Sequence, residues 1–382
     1  MSFGIICEYN PFHNGHLHQI KEIKRISDEP IVCVMSGNFT QRGEIAIADK
    51  YTRARMALLA GADAVFELPI PFCIASAEYF ASAGVYILAN LGVDKLCFGS
   101  ESADVDSIIK IANIACSEEF KRECESLSKS QGNASAYFDL LAEKSGVNDI
   151  NSNDILGIEY TKAIIKNGYN MQIFPIKREG SAYRETVLAK DMLPSASAIR
   201  KSISCGNIDK IASFVPNETY EILKNQELAS FKHIEKSILL ALRLKSVENL
   251  DVAISDVGLV NRILSCANES SSFDEFEESL QTKRYTKSAI RRAIMYILLG
   301  IKQSDLDAKP IYTTLLGTNE RGREYLSSIR KIEGNIQVIS KPASAPESRQ
   351  AELSKKADSL YTMCFENAKD SGCYIRKSPI VI

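Results

Sequence analysis

In the first two hundred residues, short runs of β-branched and aromatic side chains alternate with stretches whose apolar residues recur at helical spacing. That alternation leaves few folds open, because parallel strands need a long crossover between them and the usual crossover is a helix. Residues 3–7, 31–35, 64–68, 95–98 and 171–176 read as five strands. Residues 15–26, 50–59, 75–91 and 155–166 read as helices between them, with a helix-rich stretch over 105–146. Residues 197–203 read as another helix, since serine hydroxyls at 195 and 197 suit the free N–H groups of a first turn. Past residue 206 strand signals nearly vanish. Helices are expected at 234–244, 288–299, 321–329 and 351–367, with 336–339 and 374–382 as short strands or extended ends. The reading is an α/β domain over 1–205 with a Rossmann-like parallel sheet, then an α-helical domain over 206–382, linked through 204–207.

A length of 382 residues agrees with two domains, since single cores stop growing below that size. No run of eighteen or more uncharged apolar residues occurs, and the N-terminus enters a strand without a basic segment or cleavage site, so a cytoplasmic location is expected. None of the ten cysteines forms a CxxC, and most lie in apolar runs, where cysteine acts as a small hydrophobe. A net charge of −2 argues against a protein that coats nucleic acid indiscriminately, while leaving room for a local basic patch.

Three of the four histidines, His13, His16 and His18, follow the first strand. Chance would supply roughly 0.002 HxGH matches in a chain of this make-up. The carboxyl end of a strand in an open α/β sheet is where ligands bind, and a helix start there favours phosphate. Gly15 allows a tight turn, and imidazoles at 13 and 16 can donate hydrogen bonds to an oxygen gaining charge, which suits attack on phosphorus. The alternative is a histidine pair that merely caps a helix. A zinc site is disfavoured because no third ligand stands at a suitable spacing; His18 is read as supportive. A second phosphate cradle is expected from Lys177-Arg178 and from Ser195, Ser197 and Arg200 at the later helix start.

HxGH after the first strand with Ser-Xaa-Ser-Xaa-Ile-Arg after the last resembles the HIGH-motif nucleotidyltransferases. Within them, Glu8-Tyr9-Asn10-Pro11-Phe12-His13-Asn14-Gly15-His16, Met35-Ser36-Gly37-Asn38-Phe39-Thr40-Gln41-Arg42-Gly43-Glu44, Phe98-Gly99-Ser100-Glu101 and Asn153-Asp154-Ile155-Leu156-Gly157 are similar to the tRNA(Met) cytidine acetate ligase family. The likeness is dense in the first half. It continues more loosely through Lys283-Arg284-Tyr285-Thr286 and Leu316-Gly317-Thr318-Asn319-Glu320-Arg321-Gly322.

The resemblance implies an enzyme that turns acetate and ATP into acetyl-adenylate, then acetylates N4 of the wobble cytidine of elongator tRNA(Met). It implies an ATP site built from Ile6, Cys7, Glu8, Tyr9, Asn10, Pro11, Phe12, His13, Asn14, Gly15, His16, Leu17 and His18, together with Gly99, Asn153 and Arg178. Ser195, Ser197 and Arg200, with Mg²⁺, would meet the departing pyrophosphate. One departure is Ser152, where the family often has proline. Glu8 either holds the histidine loop or simply ends its strand. No protein partner is evident.

Lys283, Arg284, Lys287, Arg291 and Arg292 put five basic residues in one stretch with no acidic one. Lys287 and Arg291 share a helix flank, and Tyr285 stands ready to stack on a base. Alone this reads as a solvated basic face; beside the resemblance it reads as a tRNA contact. Arg42, Arg53 and Arg55 are expected to extend the positive surface near the active site, or, for Arg53 and Arg55, to form the outer face of a helix. Two other readings are an adenylyltransferase of a small phosphorylated metabolite and an ATP-regulated RNA-binding protein without turnover.

Overall fold

The structure is a computed structural model that describes residues 1–131, 134–147, 150, 152–178, 195–254, 256–282, 284–329 and 336–382. The first half runs β1 (Phe3–Cys7), α1 (Asn14–Ile26), β2 (Ile31–Ser36), α2 (Lys50–Leu59), β3 (Ala64–Leu68), α3 (Ala77–Asn90), β4 (Lys95–Ser100), α4 (Val105–Cys116), α5 (Glu118–Gln131), α6 (Ala134–Ser145), α7 (Ser152–Asn167), β5 (Gln172–Lys177) and α8 (Ala196–Ser204). The second half runs α9 (Asn217–Lys224), α10 (Glu235–Arg243), α11 (Val257–Glu269), α12 (Phe273–Leu280), α13 (Lys287–Leu299), α14 (Gln303–Asp307), β6 (Tyr312–Thr318), α15 (Glu320–Ile329), β7 (Gln337–Ile339), α16 (Arg349–Thr362) and β8 (Ile380–Val381).

Strands β5, β4, β1, β2 and β3 lie side by side and parallel, so the βαβ reading holds. Strand order reverses between β1 and β4, and the crevice outside the carboxyl ends opens at that point. Strands β1, β2 and β3 are buried on both faces because α3 and α7 pack against one another over one side of the sheet, while α1 and α2 make the other crossovers; the edge strand β5 stays partly exposed.

The expectation of an α-helical 206–382, with short strands or extended ends at 336–339 and 374–382, is corrected at residues 312–318. They form β6, which runs antiparallel to β3 and carries β7 and β8 beside it, continuing the same sheet. All seven β6 residues are buried, so the segment lacks the in-out alternation that marks a strand. Helices α9, α11 and α12 were also not foreseen. One buried cluster extends from Phe3 to Tyr374, across both halves. Among the described residues no helix is long and apolar enough to cross a membrane.

A buried ion cluster ties the ends of the chain together. Lys50, 1% exposed at the start of α2, reaches Glu67 of β3 at 2.7 Å and Asp358 of α16 at 2.8 Å. Asn38 donates to Asp358 at 2.8 Å and accepts from the Lys50 N–H at 2.8 Å, so the segment after β2 is anchored to the same cluster.

Candidate active site

β1 delivers the chain to the crevice and α1 begins there. Between them Tyr9 adopts φ 48, a left-handed conformation that costs a non-glycine residue about 1–3 kcal/mol and persists only where surroundings impose it. Here burial imposes it: the Tyr9 ring stands edge-on to Phe12 and His16, each at 4.8 Å. Phe12 is itself fully buried and so supports the turn from beneath.

His13 is the N-cap of α1. Its Nδ1 accepts from the Gly15 N–H at 3.1 Å, and His16 Nδ1 accepts from the His13 N–H at 3.2 Å. The rings stack with centroids 3.7 Å apart. Capping and chemistry are therefore not alternatives. Since each Nδ1 receives a backbone N–H, each neutral ring carries its proton on Nε2. Burial, helped by Arg178 and Arg200, pulls the His13 pKa down to about 3; burial, then the neighbouring His13 and Arg178, pulls His16 well down as well. Both imidazoles are thus neutral donors with fixed tautomers, suited to stabilising developing charge rather than to moving protons.

A cleft of about 590 Å³ surrounds the pair. Of the expected ATP residues, Ile6, Cys7, Glu8, Tyr9, Asn10, His13, Gly15, His16, His18, Gly99, Arg178, Ser195, Ser197 and Arg200 line it. Pro11, Phe12, Asn14 and Leu17 do not. Asn14 instead donates to the Ser213 carbonyl at 3.0 Å, and Leu17 packs into the core. Asn153 opens α7, but its side chain is outside the described residues. Gly99 leaves room for Arg178, whose Cγ would stand 3.2 Å from a Cβ at that position.

The second cradle forms as a charged relay. Ser195 caps α8 by accepting from the Ala198 N–H at 3.3 Å. Arg200 donates to the Asn10 carbonyl at 2.9 Å, to Ser197 Oγ at 3.2 Å and to Glu44 at 3.0 Å. Glu8 neither holds the histidine loop through its side chain nor only ends β1: its carboxylate accepts from the Gln41 N–H at 2.6 Å, fixing the segment after β2. Burial pushes the Glu8 pKa up.

Three expectations on basic residues are corrected. Arg53 is on neither the positive surface nor an outer helix face; it is 0% exposed and donates to the carbonyls of Glu8, Ser36, Gly37 and Ala48, because those strand ends need donors. Arg291, four residues from Lys287 on α13, is not a solvated cation but pairs with Glu44 and with Glu277, while Arg292 donates to the Gln41 carbonyl at 3.3 Å. The Tyr285 ring lies under Arg284, and its hydroxyl donates to Asp256, which Arg284 also meets at 2.7 Å. Lys287 and Arg55 are exposed, Arg42 lines the cleft, and Lys283 lies outside the described residues.

Several cleft residues were not foreseen as such, among them Glu44, Ala77, Phe80 and Tyr160. Phe80 and Tyr160 sit at helical spacing that looks like ordinary core, so nothing local marks them. Asp154 was quoted only within a motif, yet it accepts from Ser100 Oγ at 2.5 Å and the Glu101 N–H at 3.1 Å, shaping the cleft wall.

A family model described as HIGH Nucleotidyl Transferase matches residues 1–373. The chain is 39% identical to the tRNA(Met) cytidine acetate ligase of Acetivibrio thermocellus over 398 aligned residues, 95% of each chain. It belongs to the tRNA(Met) cytidine acetate ligase family of HIGH nucleotidyltransferases. Another family member, from Clostridium perfringens, is 35% identical, with 99% of this chain and 98% of the relative covered. The family likeness extends to three dimensions. The crystal structure of apo Thermotoga maritima TmcAL covers 100% of both chains with a TM-score of 0.90 at 29% identity. The same protein bound with alpha-thio ATP gives 0.87 at 28% identity, again over the full chains.

Proposed function

We propose that this protein activates acetate with ATP as acetyl-adenylate, releasing pyrophosphate, and transfers the acetyl group to N4 of the wobble cytidine (C34) of elongator tRNA(Met) in the cytoplasm. The observation that carries this reading is the stacked histidine pair, neutral and tautomerically fixed, at a crevice of the size and polarity for a nucleotide. An acetate oxygen attacks the α-phosphorus while the bond to the bridging oxygen of pyrophosphate breaks. Nε2–H groups of His13 and His16 meet the charge growing on the non-bridging oxygens. Arg178, Ser197 and Arg200 face the triphosphate, with Arg200 already held in place by Asn10 and Glu44.

Mg²⁺ is read as arriving with ATP. Among the described residues no group of three or more histidine, cysteine or acidic side chains could hold a metal. Of the cleft carboxylates Glu8, Glu44 and Glu101, the first is engaged by an N–H group, the second by two arginines, and the third stands near the Arg178 guanidinium. The donor set does not fit a resident ion.

The RNA side is read as the helices between α8 and β6, with Lys283, Arg284 and Lys287 towards the phosphates. Arg291 and Arg292 join that surface to the cleft through Glu44 and Gln41. ATP–pyrophosphate exchange tests the reading: it should require acetate, run slower with propionate and be absent without a carboxylate. Exchange that ignores acetate would favour an adenylyltransferase of some other acceptor.

A further inference from the structure

The cleft spans the carboxyl ends of β5, β4 and β1 and continues to the segment after β2. At one end Gly99 and Arg178 belong to β4 and the residue after β5; the histidine pair stands in the middle, after β1. The opposite end is closed by Gln41 and by the first turn of α3, where Ala77 and Phe80 line the space. Ile6 adds an apolar wall from β1, and Tyr160 enters from α7 with its ring 5.8 Å from that of Phe98 on β4; α7 packs along α3 and joins it through Lys162 to Glu78 at 3.3 Å.

Two features of the wall formed by α3 and α7 ask for a ligand. Tyr160 is 3% exposed, yet its hydroxyl makes no hydrogen bond among the described residues, and its oxygen is not sealed from the cleft that the residue lines. A hydroxyl so placed ordinarily has a partner. The second is the start of α3: its N-cap Ser76 makes no side-chain cap bond, so first-turn N–H groups beside Ala77 remain to be satisfied. The nearby Glu8 carboxylate is turned to the Gln41 N–H and offset by Arg42 and Arg200.

We propose that this wall seats the carboxylic acid substrate, with the Tyr160 hydroxyl and the first-turn N–H groups of α3 holding the carboxylate and Phe80 and Ile6 enclosing its methyl group. The seat rests on the acetate-activating reading above and adds the residues that choose the acid. It places the acid on the wall formed by β1, α3 and α7, beside the histidine pair that follows β1, so a carboxylate oxygen approaches the α-phosphorus while the phosphoanhydride bond breaks and the electron pair leaves on pyrophosphate.

Exchange measured with the full chain, titrating acetate and propionate at fixed ATP and ATP at fixed acetate, tests the seat. Tyr160→Phe should raise the KM of acetate about tenfold to a hundredfold, the worth of a hydrogen bond to a charged group, with the KM of ATP unchanged. Phe80→Leu should narrow the preference for acetate over propionate by about tenfold, a change that a purely structural defect would not produce. A wild-type acetate KM and preference in both variants, beside acetate-dependent exchange in the parent, overturns the seat alone. A rise confined to the KM of ATP in Tyr160→Phe assigns the hydroxyl to the nucleotide and also overturns it. Absence of acetate-dependent exchange in the parent overturns the functional reading and the seat with it.

Discussion

His13 stays neutral to about pH 3 in the folded chain, whereas an unfolded histidine takes up its proton near 6.5. Between those values the unfolded state binds more protons, so stability rises with pH and is lost as pH falls below about 6.5. Each such histidine removes up to about 1.4 kcal/mol per pH unit across that window. Urea unfolding at pH 7.5, 5.5 and 4.5 should show this fall, and His13→Asn should make it shallower; an unchanged slope would mean that His13 is protonated in the folded state. The same substitution, and His16→Asn, should each lower acetate-dependent exchange by about 10²- to 10³-fold, the loss typical of one donor to a developing oxyanion. Tyr9 and Arg53 act at this scale too. Both were legible as part of marked segments, but neither the left-handed turn of Tyr9 nor the burial of Arg53 could be read from neighbouring residues, because both are imposed by packing from β2, α2 and α1.

The segment between β2 and α2 links the two halves as an element. Gly43 has φ +72, and a Cβ there would stand 2.7 Å from the Arg292 nitrogen and 2.8 Å from the Arg291 carbonyl carbon, both backbone atoms of α13. Gly206 has φ +75 with nothing within 4 Å of its missing Cβ. Gly206→Ala should therefore cost only the left-handed backbone term of about 1 kcal/mol, and Gly43→Ala clearly more, as thermal unfolding of the two variants will report. Equal losses would mean that α13 yields freely. At the exposed start of α13, Arg284→Ala with Lys287→Ala should weaken tRNA binding and reduce the slope of log K against log salt by about 1–2, measured by filter binding across salt concentrations. An unchanged slope would place the phosphates elsewhere.

Across the whole molecule, Lys50, Glu67 and Asp358 bring α2, β3 and α16 to one buried point, and β6 completes the sheet beside β3. Asp358→Ala leaves a buried ammonium with one carboxylate and removes the acceptor of Asn38. It should cost about 3–5 kcal/mol in chemical denaturation. A loss near zero would show that water reaches Lys50. The effect should appear in one unfolding transition, since a single core cluster crosses both halves.

The five parallel strands, their helices and the histidine turn were legible because each depends on local periodicity and on a helix start directly after a strand, which neighbouring residues control. The resemblance carried the chemistry further, to ATP and to the acid and RNA acceptors. Tertiary structure decided the rest. Residues 312–318 became a strand because β3 offered an open edge and helices covered both faces, a demand no local pattern expresses. Arg291 pairs with Glu44, a contact the sequence could not show because charge pairing across 247 residues depends on where loops meet. Phe80 and Tyr160 look like core in sequence, and only the fold shows that the core wall they form is also the floor of the cleft.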